Sequence, residues 1–309
     1  MNKRDIRNPV YTDGILQDLP NYAVPLSILF TELEKYEPLL LHSYIVPSFN
    51  TASKRFGNPA YHWAQIRKGS MALQYESYTL PYELCADEVT TVLSLLFELL
   101  RHNRYCLLDM HSRFLPFLSN DPSDQTCQAL LSGYSGDETT IFLTGLSQNQ
   151  VFMNQQVKLE SFLSAYMPIK NGDLLINILI KNDAFHEALD PHRIETDLSC
   201  FLESKGGQDT ACKGTEVYGA TAVKALEEQI QYEWDSRTGP ITESMIQYKE
   251  HQVIMQYRMK RLYELGMIHS ACILENYDSI VLSAKRAAEL YLRCPSRQDK
   301  DDMSQVMPY

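Results

Sequence analysis

Residues 241–292 read ITESMIQYKEHQVIMQYRMKRLYELGMIHSACILENYDSIVLSAKRAAELYL, and this stretch decides the fold of the C-terminal part of the chain. Apolar side chains recur along it at steps of three and four residues, which is the spacing of one face of an α-helix. Gly266 interrupts the pattern once, at a position that suits the left-handed residue with which many helices end. The stretch therefore predicts two antiparallel helices joined by a short turn. Such a helical hairpin builds a surface and carries no chemistry by itself.

The chain upstream of this hairpin predicts a boundary between two domains. Four glycines alternate with polar residues over 203–219, a composition typical of a linker. Beyond it, apolar residues at helical spacing over Ala220–Trp234 predict a third helix. We therefore predict a mixed N-terminal domain over 1–202, a glycine-rich linker over 203–219, a helical C-terminal domain over 220–293 and a flexible tail over 294–309.

The N-terminal half contains two candidate β elements. Apolar and polar residues alternate on both sides of Lys68-Gly69-Ser70, which predicts a β-hairpin over about 61–79. Residues 139–144 are rich in β-branched and aromatic side chains between two glycine-containing turns, so they predict a short strand.

Helices account for most of the remaining N-terminal pattern. Residues 87–101 carry a broad apolar stripe behind two acidic residues, which favour a helix start. Further helices are predicted over 123–131 after a proline, over about 149–166, and from Asp173 through the apolar run Leu174–Ile180. The predicted fold class is therefore mainly α, an α-rich α+β fold with a mixed N-terminal domain and a helical C-terminal bundle.

Composition limits the classes of function. The formal net charge is −11, from 39 acidic and 28 basic residues, and it repels nucleic acids at long range. Seven cysteines without any CxxC spacing favour reduced thiols, as in a cytoplasmic protein or one that acts inside a host cell. The longest aliphatic run is far shorter than the ~20 residues that span a bilayer. Membrane partners are not expected, and nucleic acids are disfavoured.

Two weak patterns could carry chemistry. His186, Asp190 and His192 lie close in sequence, and imidazole with carboxylate can bind zinc or iron. The same residues also suit a helix end followed by the turn Asp190-Pro191, so no metal site and no cofactor is assigned. Cys212 lies in the glycine-rich segment and is the cysteine with the best chance of exposure, which makes it the candidate nucleophile of an alternative hydrolase function.

The C-terminal helices carry an unusual supply of tyrosine and methionine, residue types that are enriched at protein interfaces. They also suit the core of the hairpin, and the two roles are compatible. We predict partner-binding roles for Tyr248, Met255, Met259, Tyr277 and Tyr291. The leading hypothesis is a non-enzymatic interaction or assembly protein that uses its C-terminal helices or tail to bind a protein partner or itself. The alternative is a hydrolase that uses a cysteine nucleophile or a metal near His186–His192.

Overall fold

A computed structural model describes residues 4–12, 20–43, 45–57, 72–81, 89–115, 117, 126–147, 152–166, 174–206, 215–236 and 242–293. Its helices are α1 (Pro20–Leu29), α2 (Leu33–His42), α3 (Val89–Arg101), α4 (Leu159–Tyr166), α5 (Pro191–Leu202), α6 (Gly219–Ser236), α7 (Thr242–Glu264) and α8 (Ala271–Arg293). Its strands are β1 (Ile6–Arg7), β2 (Ser48–Asn50), β3 (Arg55–Gly57), β4 (Leu73–Leu80), β5 (Arg104–His111), β6 (Thr126–Tyr134), β7 (Thr140–Leu146), β8 (Phe152–Lys158), β9 (Leu174–Lys181) and β10 (Glu216–Tyr218).

The contacts within the chain form two compact units, each built from two separate stretches. Unit 1 contains Met1–Tyr36 and Trp63–His186, and unit 2 contains Glu37–His62 and Glu187–Tyr309. The predicted division into a domain over 1–202 and a domain over 220–293 is not tested by these contacts and stays a prediction.

Unit 1 is built on a seven-stranded antiparallel sheet. Six strands lie in the order β4-β9-β5-β6-β7-β8, and β1 pairs with β6 outside this path. Helices α3 and α4 pack on one face of the sheet, where Leu96 and Phe162 share a buried cluster with Leu108 and Leu131. Alternate residues of β5 and β6 supply that face because successive side chains of a strand point to opposite sides.

The predicted mainly α fold class is wrong, because the sheet is the central element of unit 1. The run Leu174–Ile180, predicted as a helix, is the strand β9 and lies between β4 and β5. The described residues of the helix predicted over 123–131 belong to the strand β6, and those of the helix predicted over 149–166 form β8 followed by the short helix α4. The chain is therefore a sheet-rich α+β fold. A short apolar run buried on both faces does not distinguish a strand from a helix by periodicity.

Other predicted elements of the N-terminal half are present. Helix α3 and strand β7 confirm the helix over 87–101 and the strand over 139–144. The second half of the predicted hairpin is the strand β4, which pairs antiparallel with β9. Its first half lies outside the described residues.

Unit 2 surrounds the long helix α7. The small sheet β10-β2-β3 lies beside α6 and α7, and the predicted third helix and helical hairpin are confirmed as α6, α7 and α8. Gly266 has a φ of +71°, and Met267 N donates a hydrogen bond to Leu262 O across the turn. This geometry is the left-handed helix end that the sequence predicts.

A buried arginine fastens α7 to the end of α2. The side chain of Arg258 is fully buried, and its Nε donates to Leu41 O at 2.9 Å while Nη2 donates to Leu40 O at 3.1 Å and also to Ser43 O. The last carbonyl groups of a helix have no partner within the helix, and the helix dipole favours a cation there. Arg258 therefore serves as the C-terminal cap of α2.

Candidate functional site

One histidine in unit 2 has a catalytic-looking environment. The Nδ1 atom of His42 lies 2.8 Å from Glu187 Oε1, and Arg193 Nη1 lies 3.5 Å from the same oxygen. On the other side of the ring, Asp190 N donates to His42 Nε2 at 2.7 Å. Because a backbone amide is always a donor, it fixes the proton on Nδ1 and occupies the nitrogen that a general base would need. His42 therefore orders the start of α5.

The structure gives the three candidate metal ligands, His186, Asp190 and His192, different surroundings. Asp190 Oδ1 accepts hydrogen bonds from the backbone N of His192 at 3.0 Å and of Arg193 at 3.1 Å, so this carboxylate caps α5. The side chain of His192 is 87% exposed, and His186 is also exposed. Within the part of the chain that the structure describes, no three His, Cys, Asp or Glu side chains form a group that could hold a metal ion.

The two cysteines that the structure describes in unit 1, Cys106 and Cys127, are poor nucleophiles. Burial raises the pKa of Cys106 to about 12 and that of Cys127 to about 11, so both thiols stay protonated near neutral pH. Cys212, the candidate nucleophile of the hydrolase alternative, lies outside the described residues, and that alternative stays a prediction.

The predicted partner-binding residues whose side chains the structure describes are buried or half-buried. Met255 and Met259 are buried, and Met255 Sδ lies 2.7 Å from Arg258 Nη1. Tyr248 is half-buried and packs edge-on against Phe56, with 5.7 Å between the ring centroids. Tyr277 is half-buried on α8, where burial raises the pKa of its hydroxyl.

The side chain of Tyr291 lies outside the described residues. The role of these five residues in partner binding stays a prediction, while the buried methionines support the packing of α7.

His251 is a buried titratable group of α7. Its Nε2 lies 3.3 Å from Ile45 O, and its ring stacks on Phe201. Burial, opposed by the bond to Ile45 and assisted by the positive charge of Arg258, lowers the pKa of His251 from 6.5 to about 4. The ring is therefore neutral in the folded protein at physiological pH.

We expect unit 2 to lose stability as the pH falls from about 6.5 to about 4. The pKa of His251 is lower in the folded than in the unfolded chain, so the unfolded state binds the proton first, and the total cost is about 3 kcal/mol. Hydrogen exchange of the α7 amides, measured across this pH range, gives the dependence of the free energy of unfolding on pH. His251→Gln should weaken this dependence, whereas His192→Gln should leave it unchanged. Equal slopes for the wild type and His251→Gln would contradict this expectation.

Sequence reasoning placed a binding surface on the helical hairpin but missed the exposed apolar residues at its turn. Three large apolar side chains at its turn are substantially exposed: Tyr263 by 40%, Leu265 by 44% and Met267 by 39%. We call these three residues the tip cluster. Leu265 and Met267 flank Gly266, and Tyr263 lies in the last turn of α7. The signal available in the sequence was the closeness of these apolar residues to the glycine that ends the helix. Helix α8 packs along α7, and the side that faces away from α7 is exposed.

The chain was compared with protein-family models and with curated proteins. No protein-family model matches the chain, and no curated protein matches it. Among the described helices, none combines the length and the apolar composition needed to cross a membrane.

Proposed function

We propose that the chain is a non-enzymatic interaction or assembly protein, which binds a protein partner or another copy of itself through the α7–α8 hairpin. The observation that carries this proposal is the exposure of the tip cluster on a well-packed support. The cluster lies at the C-terminal end of α7. Helix α7 is held in unit 2 by the hydrogen bonds of Arg258 and His251 to backbone carbonyl groups and by its packing against the small sheet. Exposed apolar groups on a rigid element are typical of binding surfaces.

The chemistry of the tip cluster suits a protein partner. Tyrosine and methionine are enriched at interfaces, and burial of a leucine or methionine side chain contributes about 1.5–3 kcal/mol. The charged residues of the chain are mostly acidic, which supports a protein rather than a nucleic acid as the partner. The reduced-thiol composition supports action in the cytoplasm, or inside a host cell.

The double variant Leu265→Asp/Met267→Asp tests the proposal, because a carboxylate in a desolvated contact is strongly unfavourable. Partners are identified by proximity labelling in the producing cell, and the affinity of each purified partner is then measured directly. We expect the double variant to weaken binding at least tenfold. Leu95→Asp is the matched control, since Leu95 is 41% exposed on α3 in unit 1. Partners that bind the double variant and the wild type equally well would show that the hairpin tip is not the binding surface.

A further inference from the structure

Helix α8 has two faces with different chemistry. The inner face carries Val281, Ala284 and Ala288, which are buried. A second stripe follows the same three- and four-residue spacing on the opposite side, and all of its members are exposed: Cys272, Glu275, Ser279, Leu282 and Arg286. We call this set the outer stripe. This spacing places the five side chains in one line along the helix, where a second helix can lie against them.

The two charges of the outer stripe are placed symmetrically. Glu275 and Arg286 lie 11 positions apart, about 16 Å along the helix axis, and their midpoint falls between Ile280 and Val281. Neither side chain forms an ion pair with another residue that the structure describes, whereas Asp278, toward α7, pairs with Lys260 Nζ at 3.2 Å. The outer stripe thus has an acidic end, a basic end and Leu282, 50% exposed, near its centre.

We infer that the outer stripe binds a second copy of this chain, with the two α8 helices antiparallel about a two-fold axis near Ile280 and Val281. This arrangement sets Glu275 of each copy against Arg286 of the other, and it sets Leu282 against the small side chain of Ser279. The inference rests on the proposed function and names the partner of the same hairpin.

The charges of Glu275 and Arg286 favour an antiparallel orientation of the two α8 helices and a second copy of the chain as the partner. A parallel pair would set Glu275 against Glu275 and Arg286 against Arg286, and like charges in contact are unfavourable. The antiparallel pair satisfies all four charges, and a two-fold axis makes one surface complementary to itself. The net charge of −11 on each copy opposes association at long range. That repulsion is screened beyond about 8 Å at physiological ionic strength, whereas the two ion pairs act at contact.

A charge-swap series on the full chain tests the inference. Light scattering over a wide concentration range, at physiological salt, gives the dissociation constant of the dimer. Glu275→Arg and Arg286→Glu each create two like-charge contacts, so each should raise the dissociation constant at least tenfold. The double variant Glu275→Arg/Arg286→Glu restores both pairs with reversed sign, and it should return the constant to within about threefold of the wild type.

Lys285→Glu is the matched control, because it makes the same charge change one position away and off the outer stripe. Circular dichroism of each variant checks that the helices persist. A wild type that is monomeric at every concentration would overturn the inference, as would a dimer that the single variants do not weaken or that the double variant does not restore. Any of these results leaves the proposed function to the tip-cluster variants, which measure binding to other proteins.

Discussion

Arg258→Met is expected to destabilise unit 2 by about 3–5 kcal/mol, because it removes several hydrogen bonds from a buried charged group, each of which contributes about 1.5–3 kcal/mol. Methionine fills a similar volume but donates no hydrogen bond. The carbonyl groups of Leu40, Leu41 and Ser43 would then lose the guanidinium that binds them. Leu40 O keeps a second hydrogen bond, from Ser43 N at 3.4 Å, whereas a buried carbonyl group left without any partner costs about 1–3 kcal/mol. Removal of the guanidinium also removes the cost of burying its charge, which offsets part of this loss.

The effect is best measured as hydrogen exchange of the α7 amides, because a chain with two units does not guarantee a single unfolding transition. Arg258→Lys keeps the charge but loses the fork of donors, so it should fall between the wild type and Arg258→Met. Lys260→Met is the matched control, since Lys260 is half exposed on the same helix and solvent screens its ion pair with Asp278. A loss below about 1 kcal/mol for Arg258→Met would show that the cap is not a main source of stability.

Gly219→Ala is expected to destabilise unit 2 by about 2–5 kcal/mol for two separable reasons. Gly219 has a φ of +59°, a left-handed conformation that costs other residues about 1–2 kcal/mol. In addition, a Cβ at this position would lie 2.2 Å from Phe201 O, and backbone atoms cannot move aside as a flexible side chain can. The resulting overpacking adds about 1–3 kcal/mol.

Gly266→Ala isolates the backbone contribution. Its φ of +71° is similar, but no atom lies within 4 Å of the added Cβ. Gly266→Ala should therefore cost only the conformational part, about 1–2 kcal/mol. The difference between the two variants, measured by hydrogen exchange in α6 and α7, gives the cost of the collision with Phe201. Equal losses would mean that the C-terminal end of α5 around Phe201 relaxes freely.

The sequence indicated those elements whose pattern is local. Helices α3, α6, α7 and α8 each carry enough periodic apolar residues to show their face, and Gly266 shows where α7 ends. The same reasoning failed for β6 and β9. Their apolar runs are short and buried between two neighbouring strands, and only the pairing partners distinguish such a run from a buried helix.

The candidate surface was predicted in part. The sequence placed this surface on the C-terminal hairpin, but the prediction favoured methionines that lie inside unit 2. Helical periodicity shows that a residue lies on a packed face, but it does not show whether that face packs within the protein or against a partner. The exposure of the tip cluster depends on where the packing of other elements against α7 ends. The exposure of the outer stripe depends on which side of α8 faces α7.

The sequence by itself determined the helical hairpin and its turn, because a helix face and a left-handed glycine depend on residues a few positions apart. Only the tertiary structure decided the sheet, the capping role of Arg258 and the exposed faces. Arg258 binds carbonyl groups more than 200 positions earlier in the chain, and β9 pairs with β4 and β5, which come much earlier in the chain. Contacts of this kind leave no spacing in the sequence, because their energy comes from groups that meet only after the chain has folded.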